Sequence, residues 1–258
     1  MGGGLVVKFL DILYEELRRR SDRSEAAKRF VDEHLDPLLK AADELVGKIV
    51  SLAGEDFKSL RGVDPNADRI DNHDLVGLVF LLAKFWANIE IFRREGLSVS
   101  IVKDSRGQRL QDFMNSIESR GVRIVDRISQ RAVGELMLTD RKDGPLETRF
   151  FVDFVRSLES DPQARRWLFP VARSLSRTRH ASERQRLLKY GIVIHAMIDS
   201  FDPQHQVTRR RPSYPNKLSN RAWRDLKYKV FGQYLTFVAE PEKFIGPPKR
   251  RGLIYLTE

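Results

Sequence analysis

Apolar residues recur at helical spacing along most of the chain. Leu5, Phe9, Ile12, Leu13 and Leu17 predict a first helix over 5–19, which Ser21 to Ser24 should break. A second stripe starts near Glu25 with Phe30, Val31, His34 and Leu35 on one side. Asp36-Pro37 then reads as an N-cap followed by proline at the first helical position. Leu38, Ala42, Leu45, Val46, Ile49 and Leu52 carry the stripe onward. Residues 25–53 are therefore two abutting helices, or one helix kinked where proline removes an amide donor. Arg61 to Asp74 is polar, and Asp71 or Asn72 is placed to cap the next helix.

That helix, from about His73 to Arg94, is apolar on nearly every side: Leu75, Val79, Leu82, Phe85, Trp86, Ile89 and Phe92 all fall within it. Such a helix belongs in the middle of a core. It is not a bilayer span, because Lys84, Asn88 and Glu90 interrupt it and a span needs about 20 largely uncharged residues. Gly96 is its expected stop. Leu97 to Val102 alternates with period two and predicts a short strand, with 253–256 (LIYL) as its candidate partner.

Further helices are expected at 108–119 and 122–138, separated by Arg120-Gly121, and at 146–159, 162–177, 181–200 and 219–238. Asp161 and Pro162 should cap and open the second of that last group. Pro203, Pro212 and Pro215 make 201–217 an unusually long loop. The pattern predicts a mainly α protein, a multi-helix globular bundle around the buried helix at 73–94, with short strands at most at 97–102 and 253–256. The loop at 140–145 divides an N-terminal helical part, 1–140, from a C-terminal part, 146–258, unless the two form one continuous domain.

Composition narrows the chemistry. The 258 residues are 41% apolar, enough for a sizeable core, and include no cysteine. Disulfides, thiolate zinc sites and cysteine nucleophiles are excluded together. The opening residues lack a secretory pattern: Lys8 is the one early cation, and Asp11, Glu15 and Glu16 follow it. Val6 stands where a myristoylation signal needs Ser or Thr. A cytoplasmic location is the expectation.

Charge changes the picture most. The net charge is +10, but residues 1–100 hold 15 Lys and Arg against 18 Asp and Glu, and residues 101–258 hold 31 against 18. Residues 164–229 carry 16 cations opposed only by Glu183, Asp199, Asp202 and Asp225. That asymmetry points to an anionic partner for the C-terminal half. Arginine outnumbers lysine 32 to 14, which suits phosphate recognition through bidentate forks or simply reflects a GC-rich genome.

The cations fall into three groups: Arg184, Arg186 and Lys189; then Arg209, Arg210, Arg211 and Lys217; then Arg221, Arg224, Lys227 and Lys229, interleaved with Trp223, Tyr228 and Tyr234. Cations track a phosphate backbone by releasing its counterions, and aromatic rings stack on exposed bases. The plainer alternative is a solvated cationic face with Trp223 turned to the core. A second constellation is His195, Asp199, Asp202 and His205, two imidazoles and two carboxylates of the kinds that hold Zn²⁺ or Mn²⁺. Against it, Asp202 before proline is a common turn former, and His195 has the apolar neighbours of a core histidine.

Phosphate-loop, dinucleotide, nucleophile-elbow, H-E-x-x-H and EF-hand patterns are all missing. Asp71 to Asp74 reads as helix capping. Glu118, Asp126 and Glu135 among Arg120, Arg123, Arg127 and Arg131 read as ion pairs on a solvated helix face. Arg120-Gly121 also admits a helix-turn-helix, although packed helices joined by glycine are common in bundles. The sequence thus favours a non-enzymatic binding protein without cofactor, engaging nucleic acid or another polyanion. One alternative is a helical interaction subunit that meets an acidic protein partly through 25–53; the other is a metal-dependent hydrolase.

Overall fold

A computed structural model describes residues 3–64, 72–99, 101–139, 146–212 and 217–247. The first helix, α1, runs unbroken over Gly3–Gly54, with Pro37 inside it. Ser21 to Ser24 do not break it, and Asp36 caps nothing. Serine and aspartate cost a helix only about half a kcal/mol each. Proline costs about 3 kcal/mol, but Val31, Leu35, Leu38, Leu39, Ala42 and Leu45 on both sides of it are buried. Burying each large side chain contributes roughly 1.5–3 kcal/mol, so packing outweighs the break. The apolar stripe over 25–53 is buried in the core, from Ala27 to Ala53.

α1 ends in a Schellman turn, with Phe57 N donating to Leu52 O and Asp56 N to Ala53 O. Asp56 takes the left-handed position (φ 54°) that glycine usually fills. Its carboxylate is held by Arg61 and, at 3.2 Å, by Arg184 Nε.

α2 spans His73–Val99, opened by Asn72, whose Oδ1 accepts from Leu75 N at 2.8 Å. By length and mean hydropathy (1.8 over His73–Gly96) it could cross a membrane, yet 72% of that window is buried inside the protein. Gly96 does not stop it. Residues 97–99 belong to α2 and Ile101–Lys103 to a 3₁₀ turn, so the described residues of 97–102 form no strand. Extension of an already nucleated helix outweighs the weak preference of a short alternating run for a strand. The other strand candidate, 253–256, lies outside the described residues. A two-stranded antiparallel sheet forms elsewhere: β1 (Leu138–Thr139) pairs with β2 (Glu147–Thr148) across 140–145.

Between the 3₁₀ turn and the sheet lie α3 (Ser105–Glu118) and α4 (Arg127–Leu136), and after the sheet come α5 (Phe151–Ser160), α6 (Pro162–Ser176), α7 (Ala181–Phe201) and α8 (Asn220–Arg224). A short α9 (Glu242–Ile245) comes last. Asp104, Asp126, Asp161 and Ser219 each cap a helix by accepting from a backbone amide. The helix expected from 122 begins at 127, after the 119–126 turn, because Asp126 caps it. The helix expected over 219–238 loosens into a π-helix at Asp225–Phe231 and stops there.

α2 is the central helix, packed on α1, α4, α5 and α6. At Gly134 of α4 an added Cβ would lie 2.9 Å from the Trp86 backbone, so the α2–α4 crossing needs glycine. One contiguous apolar cluster joins α1, α2, α3 and α7. Within it Trp86 Nε1 donates to the Tyr190 hydroxyl at 2.6 Å. The fold is mainly α, as the periodicity predicts.

Candidate polyanion-binding surface

α7 is the platform of the site. Residues 190–198 in its second half are buried, whereas its first turns carry the cations at partly exposed positions. Lys189 reaches out of α7 to the turn at 119–126, donating to Gly121 O at 2.6 Å, with Asp225 Oδ2 at 4.0 Å. Arg186 runs beside it toward Ile124 O (3.4 Å) and pairs with Glu183 at 3.1 Å. From the α8–π segment, Lys229 pairs with Asp225 at 2.9 Å and is 69% exposed. Arg221 is exposed, and its charge is felt at Lys189. Burial pulls Lys189 below the ordinary lysine value; Asp225 opposes that, while the charges of Arg186, Lys229 and Arg221 add to it. Two of the three basic segments thus converge, with four cations facing two carboxylates.

Sequence reading did not assign the turn at 119–126 to this surface, although it contributes Arg120, which is exposed, and Arg123, which is half-buried. No local signal places it there, since Lys189 and Gly121 are 68 residues apart. The aromatic residues divide. Trp223 is buried and its Nε1 donates to Gly246 O at 2.8 Å, so it faces inward. Tyr228 is 59% exposed in the π segment, its ring edge-on to Trp223. Arg224 is exposed, and Lys227 pairs with Glu242 at 2.9 Å while lying over the Trp223 ring.

Several of the expected binding cations are committed to the fold. Arg184 donates to Thr178 O and Arg179 O and pairs with Asp56. Lys217 donates to Ala53 O and Gly54 O, placing a cation at the negative end of α1. Arg211 donates through Nε to Asp43 Oδ1 (2.7 Å) and through Nη2 to Asp43 O (2.9 Å). The side chains of Arg211 and Lys217 therefore run to α1, whereas those of Arg186 and Lys189 run to the 119–126 turn. Arg209 and Arg210 are exposed.

The His–Asp constellation comes together only in part. Asp199 Oδ1 lies 3.6 Å from His195 Nε2 and 3.8 Å from His205 Nε2, and Lys243 Nζ takes its other oxygen at 2.6 Å. Asp202 is absent from this group. Its carboxylate accepts from the amides of Gln206, Val207 and Thr208 and from the Thr208 hydroxyl. Among the described residues no group of three or more His, Asp or Glu is placed to hold a metal ion. A carboxylate filled by four donors and another held by an ammonium explain why.

A charge network inside the molecule also departs from expectation. Glu118 is 5% exposed, not on a solvated face, and it binds Arg93 of α2 together with Arg127 and Arg131 of α4. Arg93 also binds Glu90, which burial pushes above the usual glutamate range. Glu135 pairs with Arg94 across helices, and Asp126 is a helix cap. Arg127 and Arg131 of α4 pair with Glu118 while remaining about half exposed.

Comparison of the chain with protein-family models, with curated proteins and with solved structures returns no match.

Proposed function

We propose that this is a non-enzymatic binding protein that engages the phosphate backbone of a nucleic acid at the junction of the 119–126 turn, the first turns of α7 and the α8–π segment. The observation that carries the reading is the gathering of Arg186, Arg221 and Lys229 around Lys189, opposed only by Glu183 and Asp225. An ordinary helical surface alternates both signs. Exposed Tyr228 in the same segment offers a ring for stacking on an unpaired base. Phosphate contact without base readout is expected, since the reading rests on charge density and not on a recognition motif.

The test is a fluorescence-anisotropy titration of single- and double-stranded DNA and RNA at two salt concentrations, with heparin as competitor. Three or four phosphate contacts on a single strand predict affinity falling roughly 20- to 50-fold from 50 to 200 mM salt. Absence of binding at low salt, or binding indifferent to salt, contradicts the reading.

A second reading, a helical subunit binding a protein partner, is favoured by one observation: Phe150, Phe151 and Val152 are consecutive and 78%, 45% and 65% exposed. Monodisperse, soluble behaviour unchanged by Phe150→Ser would count against it.

A further inference from the structure

A cleft of about 580 Å³ opens between α1, Leu81 of α2 and the loop after α7, with Lys40, Lys48, Val207, Arg209 and Arg211 among its walls. Small-molecule sites typically enclose roughly 300–1,000 Å³. The loop that forms one wall is pinned at both ends. At the start, Asp202 gathers three backbone amides and the Thr208 hydroxyl, and His205 adopts a left-handed backbone (φ 54°). At the end, Arg211 is clamped on Asp43. Ordering a loop costs conformational entropy, and what this ordered loop offers to the cleft is the exposed guanidinium of Arg209.

The helix opposite is shaped to match. Gly47 lies within α1, where glycine is a poor helix former. A Cβ there would meet the Arg211 guanidinium at 2.7–2.8 Å, so the glycine makes room for it. The acids of the cleft are already engaged, Asp43 by Arg211 and Glu44 by Lys84 at 2.7 Å. Lys48 is paired with Asp74. Lys40 and Arg209 have no ion pair among the described residues, which leaves the lining with two cations that no acid offsets and Leu81 and Val207 as apolar wall.

We infer that this cleft binds a small phosphate-bearing ligand of mononucleotide size, its phosphate held by Arg209 and Lys40 beside the fixed Arg211 and its apolar part laid against Leu81 and Val207. The cleft shares no lining residue with the group around Lys189, and the inference does not rest on that group. Arg211, already fixed on Asp43, loses little further freedom beside the anion, while Arg209 and Lys40 supply the charge that no acid offsets.

The test is isothermal titration of the full chain with AMP, with inorganic pyrophosphate and adenosine as comparison probes. Saturable AMP binding is expected, weakened at least tenfold in the Lys40→Ala/Arg209→Ala double variant and unchanged in Arg221→Ala/Lys229→Ala. Gly47→Ala, which displaces Arg211, should also weaken binding; the surface double variant keeps the test decisive if that change disturbs folding. No AMP or pyrophosphate binding at millimolar concentration overturns the inference. So does adenosine binding as well as AMP, or a loss that follows Arg221 and Lys229 rather than Lys40 and Arg209.

Discussion

Two charged regions of this molecule use the same side chains in opposite ways. Around Glu118, three arginines meet two glutamates, and the carboxylates are 6% exposed. Around Lys189, four cations meet Glu183 and Asp225, whose side chains are 18% and 25% exposed. Burying an unmatched charge costs several kcal/mol, so the interior group is completed by partners from three helices. The outer group is left short of acids where water, or a bound anion, can supply the missing negative charge. What separates the two groups is the ratio of cations to acids and the exposure of those acids.

The largest expected effect breaks the interior group. Glu118→Gln should lower stability by about 3–5 kcal/mol, because three guanidiniums lose a buried counter-charge. Urea unfolding reads this directly, and a loss under 1 kcal/mol would mean that the network is not a closed interior one. Next is Asp202→Ala, which strands the amides of Gln206, Val207 and Thr208 and should cost about 2–3 kcal/mol. A fall in Tm of about 4–12 °C is expected, without change in oligonucleotide affinity.

Acid should then act through the same kind of group. Burial alone would lift Asp202, but the Thr208 hydroxyl and the three amides hold it below the usual carboxylate range. Asp126 is held down by the hydroxyl and amide of Ser129. Both favour the folded state above the unfolded aspartate value of about 3.9, and that stability is lost as pH falls through the depressed folded values. Glu90, raised by burial, works in the other direction. Stability should therefore decline below about pH 4, and more shallowly in Asp202→Ala. A thermal-unfolding series in pH checks both.

The smallest effects in energy sharpen the comparison most. Arg221→Ala and Lys229→Ala should leave Tm within about a degree or two, since exposed pairs contribute at most about 1 kcal/mol. Each should lower the salt slope of single-strand binding by about 0.7.

How much of this is legible in the sequence depends on the range of the interactions. The central helix and the caps at Asn72 and Asp161 rest on neighbours within four residues, and periodicity finds them. The continuity of α1 through Pro37 rests on burial against other helices, so local propensity leaves one helix and two both open there, and it misplaces the break at Ser21 to Ser24. The excess of cations in 164–229 is visible, and so is its bearing on Arg186, Lys189, Arg221 and Lys229. Which cations are spent on the fold is not visible: Arg211 meets Asp43 across 168 positions and Lys217 meets Ala53 across 164. Glu118 reads as a surface acid because its arginines come from α2 and α4. Asp202 shows both sides, since its turn-forming role before proline is local whereas its separation from Asp199 is tertiary.

The central claim is that the group around Lys189 meets phosphate, and the slope of log K against log salt for a single-stranded oligonucleotide tests it most directly. The wild-type chain should give a slope near −2 to −3, and the Arg221→Ala/Lys229→Ala double variant a slope shallower by about 1.4 at unchanged Tm. Equal slopes in the two proteins, or no binding by the wild type at low salt, would contradict it.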